Sequence, residues 1–322
     1  MDKRHQELIS RIRTARERTF LDDDASLGLP RTYDMLAHLG NRVLKSEQYL
    51  EDPGILDFRK QLLVFMNIDS ELGSWEQQDF MKVFWDKLGY EVPNPSSAMQ
   101  SDLDNFIVKN PNQRIIPTPL LDLNGRKELA NNGQKLFRNK YNHSDKLLWT
   151  PDETSLYSKL LSNPNQTISN ENSTYEVLYK TDSLELLGRS QYIDYLVNTK
   201  RVTIDQSGMA WSFPIMDIRA SDNLQNESVR TIYEQANTIL TPEALIVTHI
   251  INQASGIHLQ DYVIDLANEA IYSTNKDQQT RSMNLVTGVY WDPDYYQINL
   301  CYWNPDDHCS NTRIQTLTDA SL

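Results

Sequence analysis

The sequence predicts an α+β protein: a mainly α-helical region over residues 1–161, a linker at 162–174 and an α+β region over 175–322. Three observations carry that reading. Capped stretches with apolar residues three and four positions apart fill the front half. Turn formers dominate 162–174 (SNPNQTISNENST), which holds one isoleucine and no aromatic residue. Alternating segments separated by glycine or Asx-Pro turns occupy the back half.

Residues 3–20 read as a helix with Leu8, Ile12 and Ala15 on one stripe. The first 20 residues carry a charge of +3, which leaves −16 for the rest of a chain whose total is −13. The pattern is that of a basic helix docked on an acidic body, with a membrane-surface helix or a partner-binding arm as alternatives. Asp57 to Met66 presents Phe58, Leu62, Leu63 and Phe65 on a broad face. Ser74 and Gln77 have capping-box spacing ahead of Phe80, Val83, Phe84 and Leu88, and Gly89 followed by Tyr90 marks the stop. Pro111 to Pro119 is extended because closely spaced prolines cannot sustain a helix. Thr150-Pro151-Asp152-Glu153 opens another helix, with Leu156, Leu160 and Leu161 facing inward.

In the back half, Ser173 to Tyr179 alternates as a strand, and Ser190 caps a helix to about Asn198. Arg201 to Ile204 and Met209 to Ile215 form a hairpin turned at Gly208, where the chain needs positive φ. Thr241-Pro242-Glu243 opens a helix to about Ala254, closed by Gly256. Leu259 to Tyr272 matches the helical template at every apolar position, so the two read as a helical hairpin. Leu285 to Trp291 and Tyr295 to Trp303 read as a β-hairpin.

Composition excludes several functional classes. No two of the 11 glycines lie closer than eight residues, so no glycine-rich phosphate cradle and no Gly-x-Ser-x-Gly nucleophile elbow exists. No two of the six histidines are spaced for a helical zinc motif. Two cysteines, Cys301 and Cys309, rule out a disulfide framework and fit a reducing compartment. The acidic balance argues against a nucleic-acid surface. No apolar run reaches membrane-span length and no signal core opens the chain, so the reading is of a soluble cytoplasmic protein.

Chemistry-bearing residues concentrate in the C-terminal hairpin. Tyr290-Trp291-Asp292-Pro293-Asp294 is echoed by Tyr302-Trp303-Asn304-Pro305-Asp306-Asp307. One reading is turn chemistry with aromatic strand pairs. The other is an aromatic platform beside carboxylates, with Trp291, Tyr290 and Trp303 as ligand contacts. In an antiparallel hairpin the two acidic turns lie about 25–30 Å apart and cannot form one acid–base pair. Asp292 and Asp294 have spacing suited to a hard divalent cation, a weak signal shared with Asp102 and Asp104. His249 and His258 can approach across the expected helical hairpin; Asp261, Asp265 and Glu269 read first as a solvated acidic face with each histidine a partly buried polar residue, and second as a metal or acid–base site. Arg189, Arg201, Arg219 and Arg230 suit an anion such as phosphate or carboxylate, or an acidic surface. The expectation is a binding or regulatory protein for a protein or small-molecule ligand, with Arg219 among the ligand contacts. The alternative is a transferase or hydrolase with a dispersed site including His249, His258, Asp292 and Asp294, with a divalent metal as its cofactor.

Overall fold

A computed structural model describes residues 53–67, 72–111, 113–136, 155–217, 227–236, 240–255, 264–292, 297–308 and 312–313. Three helices come first: α1 (Pro53–Met66), α2 (Ser74–Lys87) and α3 (Ser97–Lys109). Short strands β1 (Gln113–Ile115) and β2 (Thr118–Pro119) lead to α4 (Leu123–Gln134) and α5 (Leu156–Ser162). There follow β3 (Ile168–Ser169), β4 (Ser173–Lys180), β5 (Leu186–Gly188), α6 (Arg189–Asn198), β6 (Val202–Ile204), β7 (Ala210–Ser212) and β8 (Ile215–Asp217). Helices α7 (Val229–Gln235) and α8 (Pro242–Ser255) precede β9 (Ile264–Asn275), β10 (Arg281–Asp292), β11 (Gln297–Trp303) and β12 (Thr312–Arg313). Helices dominate the front and antiparallel strands the back, so the fold class is α+β.

The main sheet runs β11-β10-β9-β4-β3, with β5 on β4 and β12 parallel to the start of β9. Helix α8 lies against one face, between the sheet and helices α1 and α4. Every residue except Asn252 is buried, and apolar residues occupy all sides between a few paired polar ones, the pattern of a helix inside a core. On that face sit Val177, Ala267, Ile271, Val289, Trp291, Ile298 and Leu300. The opposite face carries Leu178, Leu266, Ala270, Val286 and Cys301 and is covered by Val229, Ile232 and Tyr233 of α7. Helix α4 approaches α8 at Gly133, where a Cβ would stand 2.1 Å from Ile250 Cδ1.

Burial on both faces explains the largest departure from sequence expectation. Residues 264–275 are strand β9, not the second helix of a helical hairpin. Its residues alternate between two buried faces, so no polar face reveals the period of two. The apolar and small residues then also fit a helical template. Leu259 to Val263 and His258 lie outside the described residues.

Other boundaries shift by a residue or two. Gly73 is the N-cap of α2, and its N–H donates to Glu76 Oε2 at 2.8 Å. Ser74 is already helical and its hydroxyl donates to Asp104 Oδ1. Gln77 is a core bracket: Nε2 donates to Leu72 O and Gln113 O, and Oε1 accepts from Ile115 N–H. The buried stripe of α2 is Met81, Phe84, Trp85 and Leu88, while Val83 is 46 % exposed. The stop is as expected: Gly89 has φ +84°, Gly89 N–H donates to Asp86 O, and Tyr90 N–H reaches back to Trp85 O. Helix α5 starts from the Ser155 cap with Leu160 and Leu161 buried; Thr150 lies outside the described residues. Gly188, rather than Ser190, caps α6. The β6–β7 hairpin forms with Gly208 at φ +87°, but Ile215 belongs to β8, which pairs with β1. The C-terminal hairpin pairs from Asp292↔Gln297 to Val286↔Trp303. Residues 162–174 contain β3, and a continuous apolar core draws on residues from both sides of that stretch.

Candidate functional site

Trp291 is 0 % exposed and belongs to the core against α8, so it offers no ligand-facing ring. Alternation along β10 sends Tyr290 and Asp292 to the other face. There Tyr290 and Trp303 are partly buried against the α7-side core, and Trp303 Nε1–H donates to Cys301 Sγ at 2.9 Å. Burial pushes the Tyr290 hydroxyl up. Asp292 accepts from Asn299 Nδ2 at 3.3 Å. Asp306 braces a turn: its carboxylate pairs with Arg230 at 3.1 Å, while Arg230 N–H donates to Pro305 O. The aromatic residues thus form strand packing, and the described acids near them hold bends and strand ends. Asp294, Arg219 and Cys309 lie outside the described residues.

The structure joins His249 of α8 to Asp265 of β9, with Nε2 3.0 Å from Oδ2 and both side chains buried. The expected approach is of His249 to His258 across a helical hairpin; the observed contact is with Asp265 across a helix–strand packing, and His258 lies outside the described residues. Strand alternation places Asp292 on the face opposite Asp265 and His249, so these candidates do not converge. Among the described residues no group of three or more His, Cys, Asp or Glu side chains is placed to hold a metal ion. No described helix is long and apolar enough to cross a membrane.

A second buried polar group had no local sequence signature. Arg126 of α4 donates from Nε to Glu243 Oε1 at 2.8 Å. Its Nη1 and Nη2 reach Glu269 Oε1 and Oε2 at 2.8 and 2.6 Å, a bidentate fork. Arg126 is 1 % exposed and Glu269 0 %. Thr287 Oγ1 adds a hydrogen bond to Glu269 at 2.9 Å. Burial lowers the Arg126 affinity for its proton, but the Glu243 and Glu269 charges outweigh this and hold it well above the ordinary value. Burial likewise raises the Glu269 carboxyl, but the Arg126 charge and bonds from Arg126, Tyr179 and Thr287 bring it below its ordinary range.

These bonds form a closed circuit that ends at the surface. Leu121 N–H donates to Glu243 Oε1 at 3.1 Å. The Tyr179 hydroxyl donates to Glu269 and accepts from Arg189 Nη1 at 3.3 Å. Arg189 closes the ring by donating from Nη1 to Leu121 O at 2.9 Å and from Nη2 to Leu120 O at 3.0 Å. Burial, ahead of the neighbouring charges, drives the Tyr179 hydroxyl strongly upward, so it stays protonated as a donor.

Above that circuit lies an open groove of about 460 Å³. Its walls come from four segments: Leu120–Asp122 before α4, Ser162–Asn165 after α5, Arg189 at the start of α6, and Ser207–Met209 at the β6–β7 tip. Each wall is locally fixed. Asp122 Oδ1 caps α4 through Gly125 N–H at 2.8 Å. Ser190 Oγ donates to Asn165 Oδ1 at 2.9 Å, which leaves the Asn165 amide nitrogen to donate elsewhere. Asp205 gathers Ser207 N–H, Ser207 Oγ, Met209 N–H and Trp211 Nε1–H, which stiffens the hairpin tip. Of the described arginines expected to collect an anion, Arg201 pairs with Asp182 at 2.7 Å and Arg230 with Asp306, while Arg189 lines the groove.

No protein-family model, curated protein or solved structure matches this chain.

Proposed function

We propose that this is a binding protein whose ligand is a small polar molecule held in the groove between Asp122, Asn165, Arg189 and Ser207. One observation carries the reading: the clustered acids, bases and aromatic rings of the main sheet are turned inward, whereas this groove turns donors and acceptors outward on braced walls. Its volume lies within the roughly 300–1,000 Å³ of small-molecule sites. Preformed walls lower the ordering cost of binding.

An enzyme reading rests on His249 and Asp265, whose Nε2 and Oδ2 lie 3.0 Å apart without the hydrogen bond that would orient a general base. Both lie inside the core between α8 and β9, so binding in the groove is the stronger reading.

The test is a thermal-shift screen of polar small molecules on the unsubstituted protein and on Ser207→Trp, which fills the groove from an exposed hairpin tip. Compounds that raise the melting temperature of the first should leave the second unmoved. Equal shifts on both proteins place binding elsewhere, and turnover of a bound compound overturns the non-catalytic reading.

A further inference from the structure

We infer that Arg189 is an oxyanion receptor, so that the groove takes a ligand bearing a carboxylate or phosphate group. This rests on the groove being a binding site. A guanidinium carries five N–H bonds in one plane. Arg189 uses three of them, two from Nη1 to Leu121 O and the Tyr179 hydroxyl and one from Nη2 to Leu120 O. Those contacts fix the plane from the side that carries Nη1. The edge left over pairs Nε–H with the second Nη2–H, the fork that matches two oxygens of one carboxylate or phosphate. Neither hydrogen is donated to a described residue, and Nε is neither bonded nor sealed from solvent in this half-buried side chain.

Among the described arginines, carboxylates answer Arg126 (Glu243 and Glu269), Arg201 (Asp182), Arg230 (Asp306) and Arg281 (Glu176), while Arg114 is held by backbone carbonyls but is wholly buried away from the groove. Arg189 is held by neutral carbonyls and a hydroxyl, so its charge is not cancelled where it is anchored. Asn165 brings an amide donor to the same groove. Asp122 brings a carboxylate whose Oδ1 is committed to Gly125 N–H, leaving Oδ2 to accept from the ligand. The expected ligand therefore joins an oxyanion to a hydrogen-bond donor, such as a hydroxyl or an ammonium group. The acidic body, at −13 overall, opposes capture of anions at long range. At physiological salt that field is screened beyond about 8 Å, whereas a direct fork is not.

The experiment is nitrogen–proton NMR of the arginine Nε–H groups of the full chain, titrated separately with acetate, inorganic phosphate and neutral acetamide. The Arg189 signal is assigned by its loss in Arg189→Lys. It should shift saturably with acetate or phosphate and not with acetamide. Response to one anion alone identifies which oxyanion the site takes. Ser207→Trp should abolish the shift, and Arg189→Lys should weaken the accompanying backbone shifts at Asn165 and Met209 by about tenfold. If acetamide and the anions move those backbone signals equally while the Arg189 Nε–H signal stays still, the groove binds but Arg189 is not its receptor. An Arg189 signal unmoved by every probe also overturns the proposal. The decisive titration uses the unsubstituted protein, so a misfolded variant would not obscure it.

Discussion

Replacing Arg126 with methionine removes the cation at the centre of the buried circuit while nearly keeping its length. Two carboxyl groups, Glu243 and Glu269, then share a core site with no guanidinium between them. Breaking a buried pair from one side costs about 3–5 kcal/mol, because the remaining charge is neither solvated nor compensated. With a urea dependence of about 3 kcal/mol per molar, suited to a large domain, a loss of about 4 kcal/mol lowers the unfolding midpoint by about 1.3 M. The pH dependence gives an independent check. In the unsubstituted protein Glu269 is held below its ordinary value of 4.5, so its contribution is complete above about pH 4.5 and is lost as pH falls further. In Arg126→Met the sign reverses. Glu269, stripped of its cation, takes up a proton more readily folded than unfolded, so acidification favours the folded variant. Urea unfolding followed by circular dichroism between pH 7 and pH 5 should show the gap between the two proteins narrowing. A gap under about 1 kcal/mol at pH 7, or one that does not change with pH, would refute the view that Arg126 neutralises buried carboxylates.

Trp291→Ala should cost about 3–5 kcal/mol in chemical unfolding while leaving groove binding intact in the folded fraction, and the reverse pattern would restore Trp291 as a ligand contact. Gly133→Ala drives a methyl group to 2.1 Å from Ile250 Cδ1 and should lower stability by about 1–3 kcal/mol in the same assay; a neutral result would mean that α4 and α8 are not in close contact. Burial pushes the Tyr272 hydroxyl up to about 12, ahead of the nearby Glu234 charge. The unfolded state therefore releases this proton first, and stability falls as pH rises from 10 toward 12. Ultraviolet tyrosinate titration of Tyr272→Phe against the parent reads that loss directly, and an unchanged high-pH absorbance step would contradict it.

The parts of the fold legible in the sequence are those specified locally. The Gly89 stop, the Gly208 hairpin, the Thr241-Pro242-Glu243 helix start and the C-terminal hairpin each depend on a few adjacent residues with distinctive backbone preferences. β9 was not legible because both of its faces are buried, which removes the alternation that marks a half-exposed strand. The same burial misdirects the aromatic reading: Trp291 looks available in sequence, but the pleat turns it inward against α8. His249 is a candidate in sequence, but its meeting with Asp265 depends on a helix packing on a strand. The Arg126–Glu243–Glu269 group joins residues 117 and 143 positions apart, so no spacing rule could reveal it. The groove is assembled from four separate turns, and its only advance signal was the suitability of Arg189 for an anion.

The measurement that tests the account most directly is an experimental structure of the protein with a stabilising compound from the screen. The compound should lie between Asp122, Asn165 and Ser207, with an oxyanion on the Nε–Nη2 edge of Arg189. A compound seated against Tyr290 and Trp303, or beside His249 and Asp265, would contradict the assignment of the groove as the ligand site.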